Sequence, residues 1–181
     1  MSGYPEMDSQ CDQRVVNVSW EDDMKPGGFC DWVTTVAGFK ATLPTDAQFE
    51  YAARGGKVSQ DYPSGKHFDE SMVWCGRMGT KTTGAVTRTD HVFRNAFGIV
   101  DIVGKVRQWC ADYYNLKYVP SGKDSIDSQF SRSRTFRGSS WQLNLSRSPI
   151  DQVQLWCSFR SGMASDDTDN EVGFRLVAPP K

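Results

Sequence analysis

Leu43-Pro44-Thr45-Asp46-Ala47-Gln48-Phe49-Glu50-Tyr51-Ala52-Ala53-Arg54-Gly55-Gly56 decides more of the fold than any other stretch of this 181-residue chain. Thr45-Asp46-Ala47-Gln48 reads as a capping box. The threonine hydroxyl takes an orphan N–H of the first turn, and Gln48 reaches back to the N–H of the cap. Pro44 stands just before the cap and Gly55 just past the last turn, so the spacing predicts a helix between them. Phe49, Ala52 and Ala53 form its buried face. Two alanines there add little bulk, so this helix is expected to pack closely against another element.

Working outward, residues 1 to 13 are polar and carry no regular pattern. Arg14-Val15-Val16-Asn17-Val18-Ser19-Trp20 reads as a strand by its β-branched content. Pro26-Gly27-Gly28 then opens a second helix, with Phe29, Trp32, Val33 and Val36 on one apolar face expected to be buried, and Gly38 ends it. Beyond Gly56, residues 56 to 94 are rich in turn formers, with Tyr62, Val73 and Trp74 as isolated apolar anchors. Asn95-Ala96-Phe97-Gly98 is a turn. Val106-Arg107-Gln108-Trp109-Cys110 alternates apolar with polar and reads as a half-buried strand that Asp112-Tyr113-Tyr114 continues. Residues 115 to 131 are loop-like. Arg134 to Arg137 and Gly173 to Val177 read as strands. With no internal repeat and no shift of composition, residues 1–181 make a single α+β domain of two helices, short strands and long loops.

The stretch between those last two strands has no period. Gln142, Asn144, Asp151, Gln152 and Gln154 alternate irregularly with Leu155, Trp156 and Phe159, and the run ends in Asp166-Asp167-Thr168-Asp169-Asn170-Glu171. It reads as neither helix nor strand but as a surface that touches something. Lys+Arg of 21 against Asp+Glu of 22 lacks the basic excess of a general nucleic-acid binder. Five cysteines, with no CxxC pair, argue against a thiolate zinc site. Cys30 and Cys110, each near a tryptophan, read as small buried hydrophobes; a disulfide is open but its pairing is not legible. No basic-then-apolar leader marks a signal peptide, and no apolar run approaches the ~20 residues of a membrane span.

Together these motifs resemble the sulfatase-modifying-factor, or formylglycine-generating-enzyme, family. Val18 to Asp22 with Phe29-Cys30-Asp31-Trp32 is similar to its opening, and Leu43 to Gly56 to its most recognisable helix. Asn95 to Gly104 with Trp109-Cys110 is similar to its central motif. Arg137-Gly138-Ser139-Ser140-Trp141 and Gly173-Phe174-Arg175-Leu176-Val177 are similar to its C-terminal pair. The resemblance covers nearly the whole chain in order and implies a C-type-lectin-type fold in that family's form.

It implies two kinds of function. The enzymes oxidise a substrate cysteine with two cysteines that would fall near Leu143 and Ser148, and neither position is Cys. A copper–thiolate site needs soft ligands, and Cys157 is the one later thiol. An iron-dependent sulfoxide-forming branch carries its histidines on another domain; this chain has His67 and His91. The other kind is the variable protein of diversity-generating retroelements, in which error-prone reverse transcription scatters substitutions over the C-terminal part of the fold. Residues 137–177, framework at both ends and mixed between, resemble that layout. The expectation is a non-catalytic ligand-binding protein, with an oxidase-like enzyme acting through another site as the alternative.

A binding surface of this kind takes area from Trp156 and Phe159, and adaptable hydrogen bonds from Gln142, Asn144, Gln152 and Gln154. Ser146, Ser158, Asp151, Asp167 and Asp169 complete the candidate contact positions. Trp156 is either contact or core. Leu143 and Leu145 are expected to face inward, Trp141 and Phe174 to be framework, and Arg137, Arg160 and Arg175 to hold carbonyls or carboxylates. The acidic run lacks the paired sugar-binding motifs of calcium-dependent lectins. The family's own calcium-type site corresponds to Gly104-Lys105-Val106-Arg107-Gln108-Trp109, where Lys105 repels a cation. No nucleophile elbow appears. No cofactor or metal is expected. The expected partner is a macromolecule, a protein at a cell or virus surface rather than nucleic acid. Display on a virion or cell would then depend on a partner.

Overall fold

The computed structural model describes residues 15–69, 94–115, 132–143 and 149–178. In chain order these form α1 (Trp20–Met24), α2 (Phe29–Ala37), α3 (Asp46–Ala53), β1 (Arg107–Tyr113), β2 (Ser133–Arg137), a 3-10 helix (Pro149–Leu155), β3 (Arg160–Ala164) and β4 (Val172–Gly173). Val73, Trp74, Asn144, Leu145, Ser146, Ser148 and residues 116–131 of the loop assigned to 115–131 lie outside the described residues.

Helix α3 forms as its capping box predicts. Gln48 N–H donates to Thr45 Oγ1 at 3.2 Å, and Thr45 N–H donates to Gln48 Oε1 at 2.9 Å. Phe49 and Ala53 are buried and Ala52 partly so. Thr45→Ala removes one half of the box and is expected to cost about 1 kcal/mol, read as a lower urea midpoint with an unchanged slope.

The strand expected over 14–20 does not form in its described part, residues 15–20. Asn17 takes a left-handed φ of 59°, and Ser19 caps α1. Asp22 N–H donates to Ser19 Oγ at 3.1 Å, and Ser19 N–H donates to Asp22 Oδ2 at 3.2 Å. This Ser-x-x-Asp box is the same device as Thr45-x-x-Gln48, and it outweighs the β-branched content before it. Pro26 falls in the turn between α1 and α2, whose N-cap is Gly28; Gly38 closes α2 with φ 73°.

Helix α2 also turns its expected face the other way. Phe29, Trp32 and Val36 are exposed, Val33 is half-buried, and Cys30 is its buried residue. The inward side is the one with small groups. Cys30 Sγ approaches Met24 Sδ at 3.7 Å, and Thr34 Oγ1 donates to Cys30 O at 2.8 Å while accepting Ala41 N–H at 2.9 Å.

The sheet has the order β3-β2-β1-β4. β2 runs antiparallel to β1, with Trp109 opposite Phe136, and to β3, with Phe136 opposite Ser161. β4 lies parallel to β1, with Gln108 opposite Gly173. β1 is buried on both faces rather than half-buried. Successive residues of a strand point to opposite sides. Cys110 joins one core cluster with Phe49, Ala53, Leu155 and Cys157; Trp109 and Ala111 join another with Leu43, Phe136 and Val172. Sheet pairing also creates β3 from Arg-Ser-Gly-Met-Ala, a stretch read as irregular because nothing local favours a strand.

β4 is shorter than the strand expected over 173–177. Its chain returns at Val177, which exchanges hydrogen bonds with Thr42 at 3.1 and 2.8 Å. Gly173 is required here: a Cβ would stand 2.1 Å from Val15 O, so the N-terminal segment presses on the β4 backbone. None of the described helices is long and apolar enough to cross a membrane.

Candidate functional site

The C-terminal stretch is pinned from beneath by arginine. Arg137, at the end of β2, is almost wholly buried. Its Nε pairs with Asp46 Oδ1, its Nη2 with Glu50 Oε2 at 3.0 Å, and its Nη1 donates to Cys157 O at 3.0 Å and Phe159 O at 3.3 Å. Burial alone would lower the guanidinium pKa; the Asp46 and Glu50 carboxylates outweigh it and hold the pKa above its ordinary value. Arg160 Nη2 meets Asp46 Oδ2 at 2.8 Å, and its Nη1 donates to Asn115 O at 2.7 Å. Arg175 donates to Gln108 Oε1 at 2.6 Å and to Val100 O at 2.5 Å. All three arginines hold carboxylates, carbonyls or an amide, as expected. Gly138 follows with φ 76°, and a Cβ there would stand 3.1 Å from Ile102 O.

Over that base the chain alternates. Leu155 and Cys157 are buried, whereas Trp156 and Ser158 are exposed and Phe159 is half-buried. Asp151, Gln152 and Gln154 are half-buried on the 3-10 helix. Trp156 is 39% exposed, which makes it a surface residue, and its Nε1 donates to Tyr62 Oη at 2.9 Å. Tyr62 stacks obliquely with Phe68, ring centroids 5.6 Å apart. Residues 62–68 therefore border the surface, a contribution missed when Tyr62 was read as an isolated anchor. Cys157 N–H donates to Asp61 O at 2.7 Å and closes this junction.

Gln142 is exposed and donates to Asn170 Oδ1 at 3.1 Å. Leu143 faces inward as expected. The sheet register places Gln142, Asn170 and the 151–159 stretch toward the end where β2 finishes and β3 begins. Asp167 is exposed in the turn after β3, toward the opposite end of the sheet. There Asp166 borders an open cleft of about 590 Å³ with Arg132, Arg134, Tyr113 and Trp20. The Arg134 guanidinium is stacked between the Trp20 and Tyr113 rings at 3.6 and 3.5 Å. Asp169 is tied into the framework. Its Oδ1 accepts Glu171 N–H at 2.7 Å, and its carbonyl accepts Asn17 N–H at 3.0 Å. Glu171 meets Arg107 at 3.3 Å and accepts the Ser140 hydroxyl. Asn144 and Ser146 lie outside the described residues.

The thiols among the described residues are inert. Cys30, Cys110 and Cys157 are free and buried. Burial pushes Cys157 up to about 12, Cys30 up to about 11 and Cys110 well above the ordinary thiol value. All three stay protonated at neutral pH, and a thiol is neither nucleophile nor copper ligand in that form. The family's copper position does not fit these residues, since Leu143 is packed in the core near where the first cysteine would stand. Its calcium-type position does not fit either: Lys105 is buried there and its Nζ meets Asp101 Oδ2 at 2.8 Å. Among the described residues no three His, Cys, Asp or Glu side chains are grouped to hold a metal ion.

Residues 2–179 match the model of the sulfatase-modifying factor enzyme 1-like domain. The chain is 31% identical over 172 residues to the inactive C-alpha-formylglycine-generating enzyme 2 of Mus musculus, covering 91% of this chain and 48% of that protein. It is 28% identical over 189 residues to the formylglycine-generating enzyme of Bos taurus, covering 92% and 44%. The chain thus spans about half the length of these curated relatives. Among solved structures, Treponema denticola variable protein 1 superposes with a TM-score of 0.74 at 19% identity, over 99% of this chain and 76% of that one. PvdO from Pseudomonas aeruginosa superposes at 0.72 and 22% identity, over 92% and 62%. At such identities these two likenesses are of fold.

Proposed function

The chain belongs to the sulfatase-modifying factor enzyme 1-like domain family, with that family's α+β, C-type-lectin-type fold, and from that premise we propose that it is a non-catalytic ligand-binding protein. Its C-terminal region, 137–177, is the recognition surface, and its layout is that of a retroelement-diversified variable protein. The observation that carries the reading is the state of the thiol position. Leu143 is core packing, and Cys157, a thiol of the same core cluster, is buried and protonated. The similarity to a relative named inactive and to a structure named a variable protein supports the same direction.

The surface has the physical make-up of an adaptable binder. Framework residues Arg137, Leu155 and Cys157 fix the backbone, and Gln142, Trp156, Ser158 and the half-buried Asp151, Gln152 and Gln154 present side chains from it. Exposed positions on a fixed scaffold change specificity without changing the fold. The ligand is a macromolecule, a protein at a cell or virus surface, met by Trp156 as the aromatic anchor.

A library randomised at Gln142, Gln152, Gln154, Trp156 and Ser158 tests this. Most members are expected to melt within a few degrees of the parent, since substitutions away from packed features usually stay within about 0.5 kcal/mol. Selection against a panel of surface proteins should return different binders for different targets. The reading fails if substitutions at these positions unfold the domain as readily as Leu155→Ala does. It also fails if the chain with copper converts the cysteine of a sulfatase-type peptide to formylglycine.

A further inference from the structure

Residues 99–106 form the loop that leads into β1, and both ends of the C-terminal region are bonded to it. Trp141 N–H donates to Lys105 O at 2.9 Å. Arg175 Nη2 donates to Val100 O at 2.5 Å and to Asp101 O at 3.2 Å. Within the loop Asp101, Gly104 and Lys105 take positive φ, of 49°, 88° and 59°. After glycine, asparagine and aspartate enter that conformation most readily; lysine does not. Lysine is also among the residues least often buried, yet Lys105 is 5% exposed. Two local preferences are set aside at one position, and what lysine supplies in return is its amine. The turn at Lys105, closed by Val106 N–H on Gly104 O at 2.8 Å, returns the side chain to Asp101, where Nζ stands 2.8 Å from Oδ2.

We propose that the Lys105 ammonium is a tethered replacement for the divalent ion at the family's calcium-type position. It holds the loop as an ion would, and it makes the domain independent of calcium. The charges agree. Asp101 brings one negative charge and Lys105 one positive, so the pair is neutral with no metal. Both side chains are shielded from water, which strengthens their attraction. Calcium gathers six to eight oxygens. An ion entering here would meet the repulsion of the ammonium, and it would find the Gln108 Oε1 already held by Arg175 at 2.6 Å. A covalently attached cation has no dissociation equilibrium, so no chelator removes it.

Removing the amine should uncover a cation site. Lys105→Asn is the informative change. Asparagine suits a φ of 59°, so the substitution adds no backbone strain. It takes away the positive charge, leaves the Asp101 carboxylate in place and adds an amide oxygen, the donor type that calcium accepts. With few protein oxygens and water completing the shell, the affinity expected is millimolar, the weak end of the calcium range. The backbone bonds from Trp141 and Arg175 use loop carbonyls, so loosening the loop loosens the ends of the C-terminal region with it.

Thermal unfolding of the full chain tests this, in about 1 mM EDTA and in about 10 mM calcium chloride at matched ionic strength. Wild type, Lys105→Asn and Lys105→Asn/Asp101→Asn are compared. The wild type is expected to melt at the same temperature in both. Lys105→Asn is expected to melt about 5–10 °C lower in EDTA, the scale of stripping one partner from a shielded ion pair. Calcium at about ten times a millimolar Kd should return about 3 °C or more. A single variant that folds only with calcium is the same result at its limit. The double variant should gain nothing from calcium, because the carboxylate that would hold it is gone. A wild type that calcium stabilises overturns the proposal, since an ion then enters beside the amine. So does a Lys105→Asn protein as stable in EDTA as the wild type, because the amine then holds nothing. Loss in EDTA without recovery in calcium, or failure to fold in either, reduces the pair to an ordinary salt bridge and overturns the replacement. Recovery that persists in the double variant places the ion elsewhere and overturns it too.

Discussion

Arg137→Met is expected to destabilise the domain by about 3–5 kcal/mol, the usual cost of stripping one partner from a buried ion pair. That is a large share of the 5–15 kcal/mol that typically holds a domain of this kind together. The side chain it replaces is nearly inaccessible and contacts both Asp46 and Glu50 as well as the carbonyls of Cys157 and Phe159. Methionine fills similar volume but leaves the Asp46 carboxylate buried with Arg160 as its remaining ion partner, and two carbonyls short of a donor. Arg137→Lys is expected to rescue little. One ammonium cannot reproduce a planar fork that serves two carboxylates and two carbonyls. Urea unfolding of the three proteins measures the difference. Adding Asp46→Asn and Glu50→Gln to Arg137→Met separates lost packing from stranded charge. Substantial recovery in the triple variant identifies unpaired acid as the cost. A single variant within 1 kcal/mol of the parent would show that Arg137 does not pin the recognition surface.

The same arginine shows what sequence can and cannot give. Its role was legible because a buried guanidinium needs acids and carbonyls, and a Gly-aromatic neighbourhood marks a framework position. Helix α3 and the Gly38 cap were legible for a related reason: caps are local, and the residues that make them sit within four positions of one another. What failed were matters settled by distant parts of the chain. The apolar face of α2 was assigned inward because periodicity reports that a helix is amphipathic, not which side meets the core. Cys30 wins that side by packing on Met24 of α1, and Thr34 by accepting Ala41 N–H from the chain that returns past the helix. β3 was invisible because its strand character comes from β2 across the sheet. β1 looked half-buried from its alternation, but long polar side chains such as Gln108 are themselves buried, held by Arg175 and by the carbonyls of Ile102 and Val106.

The recognition strip divides along the same line. That Gln142, Trp156 and Ser158 reach the surface follows from composition and alternation. That Asp169 and Glu171 serve the framework does not, because their partners Asn17, Ser140 and Arg107 lie far away in sequence. An acidic run read as one feature therefore splits by residue: Asp167 is exposed, Asp169 closes a turn, and Glu171 anchors β4's approach to β1.

The second large effect is expected at Asp23, on the inner side of α1. Its carboxylate is 1% exposed, and its Oδ2 has no hydrogen-bond partner. Burial, followed by the repulsion of neighbouring Asp22, pushes its pKa up from 3.8 to about 7. The charged groups around it offer no relief: Asp22 is itself an acid engaged with Ser19, Lys25 pairs with Asp22, and the Cys30 thiol on α2 is protonated. The sign follows from which state holds the proton. The unfolded chain releases it near 3.8 and the folded chain only near 7, so the folded state binds more protons between those values. Stability is therefore highest below pH 4 as far as this group is concerned, falls as pH rises through 7, and is flat above. Asp23→Asn removes the charge while keeping the shape. It is expected to raise stability by roughly 1–2 kcal/mol at pH 8, the scale of relieving a buried polar group that lacks a partner. At pH 4 the gain should vanish. Chemical denaturation of both proteins at pH 4, 6 and 8 isolates the contribution of Asp23, because every other titrating group is common to the two. A gain that is equal at all three values would mean that Asp23 holds the same share of its proton in the folded and unfolded chains from pH 4 to 8, and would overturn the raised pKa.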